Sequence, residues 1–534
     1  MTVTQTPARR RSRSFGTGLS KLALLLLFCA IVLVPLIRML THITPDSISK
    51  VFSSPTIGRV TLNTVTVSLT ATVITVIIAY LLALSVERTA IRAKGLFRVI
   101  LVLPMLIPSI SHGMGLILLF GNNGIITRLL NLKMSIYGFG GITIGSVLYA
   151  FPVAFLMFAD VMKYEDRSPY EAARVLGIPK WRQITSITFP FLRRPLISIV
   201  FATFTMIVTD YGVPLMVGGK FKTLPVLMYQ EVIGQLNFDR GSVYGAILLI
   251  PAVIAFLFDL TNKDKGNQSF VIKPFEQARS AAALTVSYAY TIMIAALTLL
   301  PIVSFMILGF AEKYPTDLAF SFANIGKVLD LKGGDYLLNS VIIALFVSVI
   351  GTVLGFVTAY FTARSRTFSS KLLHLIAITA MAIPGIVLGL SYVLVFKGTF
   401  IYGTLAILIM VNIVHFIASP YLMMYNSLGK INENIEAVGD TLGIGRLRLV
   451  KDVFIPQSFS TLVEMFSYFF VNSMMTISAV SFLANTSNKP VSLMINQFEA
   501  QMQLELAAIV SLAILIVNLA IKGITALIRH ASKA

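Results

Sequence analysis

Two acidic side chains, Asp210 and Glu464, fall inside long apolar runs, where a charge is costly and marks a functional position by default. Asp210 lies just before Gly212 and Pro214, so a helix carrying it should break there. Its carboxylate then either lines a polar pathway or caps the loosened backbone. Glu464 sits near the cytoplasmic end of its run and is expected to reach the membrane interface or a nearby arginine. The other reactive groups are dispersed. His42, His112, His374, His415 and His530 make no metal-ligand spacing, and His112 and His415 read as hydrogen-bonded packing residues. Cys29 is the single cysteine, an inert thiol in an apolar run, which leaves no disulfide and no thiolate cluster. The nearest approach to a phosphate-cradling loop is Gly218-Gly219-Lys220-Phe221, which lacks the leading glycine and the hydroxyl. No paired-carboxylate cluster appears, so the chain is not expected to be an enzyme, and no metal or cofactor is expected in it.

Polar chemistry concentrates instead in a loop between apolar runs, Ser168-Pro-Tyr-Glu-Ala-Ala-Arg-Val-Leu-Gly177, continuing through Pro179 and Ile187 to Pro190. Ser168 with Glu171 has the spacing of a capping box, and Pro169 suits a first helical position. Gly177 is a helix stop. Pro179 starts a second short helix expected to end before Pro190. The helix pair would lie outside the bilayer with Ala172, Ala173 and Leu176 on one small apolar face that a soluble partner can bury. A second loop follows the same plan from Ile435 and Glu436 through Gly443 to Val453, Ile455 and Pro456.

The elements that must position these loops follow from composition. The chain has 534 residues, 56% of them hydrophobic and only 12% charged, with a mean hydropathy of +0.84. Soluble domains carry about 25% charge. A chain of this length and polarity cannot coat its own core, which excludes a soluble enzyme, a disordered chain and a disulfide scaffold. The fold class is an all-α polytopic membrane protein. Apolar runs of spanning length fall near 20–40, 62–86, 97–120, 140–159, 195–218 and 241–258, then near 284–310, 337–363, 372–396, 402–426, 458–483 and 504–527. The expected count is about 12 transmembrane helices. The net charge of +20 is not a nucleic-acid patch, because its basic residues sit in short clusters between the runs. With the N-terminus inside, cytoplasmic segments hold 30 of the 43 Lys and Arg residues, which places both termini in the cytoplasm. The first run has a basic lead but no small-residue cleavage site after it, and is read as an uncleaved span.

The chain repeats itself. Leu62-Asn63-Thr64-Val65 matches Leu338-Asn339-Ser340-Val341, and Pro108 matches Pro384, at a shift of 276. Tyr137 matches Tyr402 and Pro225 matches Pro490 at 265, while Pro190 matches Pro456 at 266. The shift drops once because the first-half loop around 121–133 is longer by about ten residues. The expected organisation is a basic tail over 1–19, a six-helix half over 20–259, a cytoplasmic linker over 260–280 and a second half over 281–534. Parallel repeats put a pseudo-two-fold axis along the membrane normal.

Glu171-Ala172-Ala173, Gly177, Ile187 and Pro190 resemble the coupling-loop signature of binding-protein-dependent ABC importer permeases, with Phe189 in place of Leu. In the second loop Gly443, Val453, Ile455 and Pro456 keep register, but the core reads Ala437-Val438-Gly439 with Glu436 one place early. The resemblance covers nearly the whole chain. It implies a type I ABC importer permease architecture in fused form, similar to importers of ferric iron and of 2-aminoethylphosphonate, as is the segment Thr209–Gly219. It further implies two cytoplasmic ATP-binding subunits that carry ATP and Mg, an external solute-binding protein, a bacterial inner membrane, and no nucleic acid. The competing reading is an ion-coupled secondary transporter with twelve spans, which would need an acidic relay that two lone acids do not supply.

Overall fold

The computed structural model describes residues 7–131, 133, 135–262, 273, 275, 277–314, 317–365 and 367–532. Most of the expected linker, 263–272 with 274 and 276, and the first six residues of the expected tail lie outside the described residues. The remainder of the tail is already helical, from Pro7 into the first apolar run.

Helices dominate, as the apolar runs require: without water in the bilayer, backbone groups must be satisfied within the segment. Among the described residues, eight helices are long and apolar enough to cross a membrane unbroken: Gly18–Thr41, Ile57–Arg88, Phe139–Lys163, Lys180–Val208, Phe238–Phe258, Ala281–Gly309, Gly333–Ala363 and Leu504–Ala531. Three more are bent pairs, giving up to 11. The expected run 458–483 is represented by the 17-residue helix Phe459–Met475. The runs 97–120 and 372–396 are not straight spans. They bend by 100° and 110° where Pro108 and Pro384 stand between two helical pieces. Each proline holds an extended ψ, 151° and 137°, and cannot continue the helix before it. The only sheet among the described residues is a hairpin, Ala311–Lys313 paired antiparallel with Asp317–Phe320.

Proline also explains a π turn in the first span. Pro35 has no N–H, which orphans the carbonyl of Ile31, and the helix widens over Cys29–Leu33. The Tyr392 hydroxyl donates to that carbonyl at 2.8 Å. Cys29, in the same turn, is half-buried.

The chain forms two compact units that do not coincide with the sequence halves. One comprises residues 1–44, 335–490 and 517–534; the other comprises 45–334 and 491–516. The first span therefore belongs with the body of the second repeat, where Lys21 Nζ meets Ser365 Oγ at 2.6 Å. The seventh span, Ala281–Gly309, belongs with the body of the first repeat. Boundaries at 259 and 281 mark the repeat in sequence rather than the units in space.

Within each unit the repeat is physical. Asn63 Nδ2 donates to Lys222 O at 3.1 Å and its counterpart Asn339 donates to Ser487 O at 3.2 Å. Gly351 and Gly355 allow close packing on Phe469 and Met465, as their spacing suggests.

Candidate functional site

The first loop folds as a helix Ser168–Val175, a stop at Gly177, a short helix Lys180–Gln183 and a π turn Ile184–Thr188. The second folds as Ile435–Thr441, a stop at Gly443, Arg446–Leu449 and a π turn Val450–Phe454. The two π turns stand in register at a shift of 266. Gly177 and Gly443 have φ of 67° and 70°, the left-handed conformation that a Cβ disfavours. Behind them Ile178 N donates to Ala173 O and Ile444 N to Gly439 O, so both helices end in the same motif.

Two expectations fail in detail. The second helix of the first loop does not end before Pro190; it runs through the π turn into the span as one helix, Lys180–Val208. The extra residue in the π turn absorbs the missing proline N–H and its clash with the preceding turn. The capping box is also absent. Ser168 is the first helical residue, and its N–H and hydroxyl both donate to Asp166 Oδ1, at 3.0 and 2.9 Å. Glu171 is left to pair with Arg167 at 3.0 Å and Lys273 at 2.8 Å. Pro169 does occupy the first turn.

The second loop explains its own departure from the Glu-Ala-Ala pattern. Gly439 stands where the first loop has the buried Ala173. A Cβ at Gly439 would lie 2.5 Å from Leu449 Cδ1. The first loop has the thinner Gln183 at the position of Leu449, with its amide bonded to Ile178 O at 2.7 Å. A larger residue on one helix thus requires a smaller one on the other.

Glu436 faces inward. It forms an ion pair with Arg364, whose side chain is only 5% exposed. Arg364 also donates to the carbonyls of Leu428, Ile431 and Asn432. Its pKa is raised, first by the hydrogen bond to Glu436, against a lowering from burial. Arg88 is the counterpart of Arg364 at a shift of 276. It donates to Met162 O at 3.1 Å and forms an ion pair with Glu165. Glu165 in turn accepts from the Tyr170 hydroxyl at 2.5 Å, and Tyr170 is the counterpart of Glu436. Burial, then the bond to Glu165, pushes the Tyr170 phenol up. In both units an arginine at the end of a long span holds the first loop helix, directly in one and through a tyrosine and a glutamate in the other. Sequence reasoning passed over Arg88, Tyr170 and Arg364; extending the repeat comparison to the basic residues would have found the arginines.

Each loop exposes large apolar side chains beside its charged ones. Val175, Leu176 and Trp181 are 88%, 75% and 62% exposed, and Leu442 and Leu447 are 68% and 87% exposed. Of the small residues, Ala173 and Gly439 turn inward instead. Ile187 is half-buried, while Ala437, Val453 and Pro456 are, respectively, exposed, half-buried and exposed.

Asp210 is a backbone cap. Its carboxylate accepts from Gly212 N at 3.2 Å and Val213 N at 3.0 Å, with the Ser109 hydroxyl as a further donor. It closes the break between the helices Phe189–Val208 and Gly212–Val217. Ser109 opens the helix after Pro108, so the two broken spans meet at this point. Glu464 lies 3.6 Å from Arg529, the partner anticipated in kind. His112 is buried with Nδ1 3.2 Å from Pro108 O. Among the described residues no cluster of His, Cys, Asp and Glu could hold a metal ion.

Residues 75–263 and again 351–532 match a family described as the binding-protein-dependent transport system inner membrane component. The chain belongs to that family. It carries the family's domain twice, and so is a fused two-domain permease of a binding-protein-dependent importer, a multi-pass protein of the inner membrane. The fused permease is similar to the ferric transport system permease protein FbpB of Actinobacillus pleuropneumoniae, 24% identical over 83% of this chain and 67% of that protein. It is similar at 24% identity to the putative ferric transport system permease protein FbpB 1 of Haemophilus influenzae, over 83% of this chain and 73% of that protein. The molybdenum transport system permease protein ModB of Azotobacter vinelandii matches at 25% identity over 37% of this chain and 91% of its own length.

Proposed function

We propose that this permease couples import to ATP hydrolysis by docking its two loops onto two cytoplasmic ATP-binding subunits, and that its substrate is ferric iron released by an external solute-binding protein. The reading rests above all on the loops. The same helix, left-handed glycine, helix and π turn occur twice in register, each presenting large apolar side chains outward. An isolated polar turn between spans would gain nothing from exposing Leu176, Trp181, Leu442 and Leu447, whereas a partner cleft would bury them. Each loop is also tied by ion pairs to the end of a long span, so a force on the loop reaches the membrane helices as a rigid displacement. ATP and Mg belong to the partner subunits, and both termini lie with them in the cytoplasm.

Ferric iron is favoured because both FbpB relatives, matched over 83% of the chain, carry that substrate in their names. The assay is uptake into liposomes holding the permease with its ATP-binding subunits, driven by loaded binding protein outside and ATP inside. Ferric iron should accumulate only with both. Accumulation of 2-aminoethylphosphonate or molybdate instead would reassign the substrate without touching the coupling reading. Uptake by the permease alone down an ion gradient would replace that reading with the carrier.

A further inference from the structure

The two loops share one backbone plan but differ at an aromatic position. In the second, Phe454 closes the π turn, fully buried, with its ring 5.2 Å from the Arg364 guanidinium and 5.4 Å from the Tyr360 ring. The first loop has Thr188 at the corresponding position, a shift of 266. Thr188 is too small to reach an arginine, and its hydroxyl instead meets that of Tyr170 at 2.7 Å. The aromatic place against Arg88 is nevertheless filled. Phe275, from the segment joining the two repeats, lies with its ring centroid 3.7 Å from the Arg88 guanidinium carbon and 5.2 Å from the Tyr170 ring.

The same segment is tied down on both sides of Phe275. Lys273 Nζ donates to Glu171 Oε2 at 2.8 Å, its backbone N–H donates to Asp166 Oδ1 at 3.1 Å, and its carbonyl accepts from Arg167 N at 2.9 Å. Ala278 N donates to Arg88 O at 2.8 Å and Ala278 O accepts from Ala90 N at 3.0 Å, a short parallel bridge beside the same arginine. A tether that only joined two halves would not need backbone pairing with one of them, nor a ring stacked on its anchoring arginine.

We propose that Lys273, Phe275 and Ala278 of the joining segment act as a strap that positions the first loop, with Phe275 serving Arg88 as Phe454 serves Arg364, and with Lys273 fixing Glu171 and Asp166. Phe275 and Lys273 are positioning residues: they act through Arg88, Tyr170 and Glu171. The strap follows from the geometry of the chain alone; its consequence for coupling rests on the docking of the loops proposed above.

Amide hydrogen exchange on the purified full chain in nanodiscs tests the strap without any partner. Phe275→Ala should speed exchange across residues 168–177 about ten-fold, the loss expected for one desolvated cation–π contact, and leave 435–443 unchanged. Adding Thr188→Phe should restore protection by supplying the aromatic from the second loop's position. Lys273→Met should loosen the same residues if Phe275→Ala fails to fold. Unchanged exchange in either variant, or no rescue by Thr188→Phe, overturns the strap. In the assembled transporter, Phe275→Ala should raise ATP consumed per substrate imported several-fold, with Thr188→Phe reversing it. Wild-type coupling in Phe275→Ala overturns the positioning role. Failure of the wild-type chain to bind an ATP-binding subunit overturns the docking reading instead, and the exchange result still decides the strap.

Discussion

Arg364 grips Glu436 with two parallel hydrogen bonds, Nε to Oε1 at 2.7 Å and Nη2 to Oε2 at 2.5 Å. The fork joins the end of the long span Gly333–Ala363 to the first helix of the second loop, and with side chains 5% and 19% exposed it is largely shielded from solvent. A paired charge of this kind stabilises its surroundings chiefly because breaking it strands the partner.

Glu436→Ala should therefore cost about 3 kcal/mol, and Glu436→Gln less, since an amide oxygen still accepts one guanidinium bond. Glu171, 32% exposed and shared between the partly buried Arg167 and the exposed Lys273, should cost no more than about 1 kcal/mol as alanine. Thermal unfolding of the three variants in one detergent gives the order. A negligible loss of stability in Glu436→Ala would show that Arg364 is not the anchor of the second loop.

The exchange between Ala173 with Gln183 and Gly439 with Leu449 predicts a rescue. Gly439→Ala pushes a Cβ into Leu449 and should destabilise by about 1–3 kcal/mol. Gly439→Ala with Leu449→Gln rebuilds the pair of the first loop and should recover most of that loss. Gly177→Ala meets nothing within 4 Å, so its cost should be the left-handed backbone alone, about 1 kcal/mol, and no neighbouring substitution should rescue it. Melting temperatures of the single and double variants separate the two causes.

Asp210→Asn should be felt as a lost cap. The carboxylate uses both oxygens, one for Gly212 N and one for Val213 N. An amide offers one oxygen and turns donors toward the other N–H, which should cost about 1–3 kcal/mol for the unsatisfied group. The melting temperature should fall, and import should fall only in proportion to folded protein. Full stability with selectively lost import would place Asp210 in the substrate pathway instead.

Orientation is open to labelling. With Cys29 replaced, single cysteines at Val175 and Leu447, 88% and 87% exposed, should react only with reagents that reach the cytoplasm. A cysteine at Phe400, 92% exposed, should react from outside. Reaction of Val175→Cys from outside would invert the topology.

Much of this was legible in sequence because the signals were backbone signals. Gly177 and Gly443 mark stops that only a residue without a Cβ takes easily, and the repeat shift placed both loops in register. The bends at Pro108 and Pro384 carried the same kind of mark, yet an unbroken apolar run hid them, since hydropathy measures residence in lipid rather than direction. Glu436 was harder. It stands one place early against the pattern, and only side-chain geometry shows it turned onto Arg364. The company of the first span was illegible for another reason: an apolar helix packs equally well on either repeat by composition. What selects the second is local, a tyrosine hydroxyl at the carbonyl that Pro35 leaves open.

The docking of both loops is tested most directly by photo-crosslinking in cells. A photoreactive side chain at Leu176, and separately one at Leu442, should each capture a cytoplasmic ATP-binding subunit, with two copies on a chain carrying both probes. Capture at neither position, with import continuing in the same cells, would contradict the account.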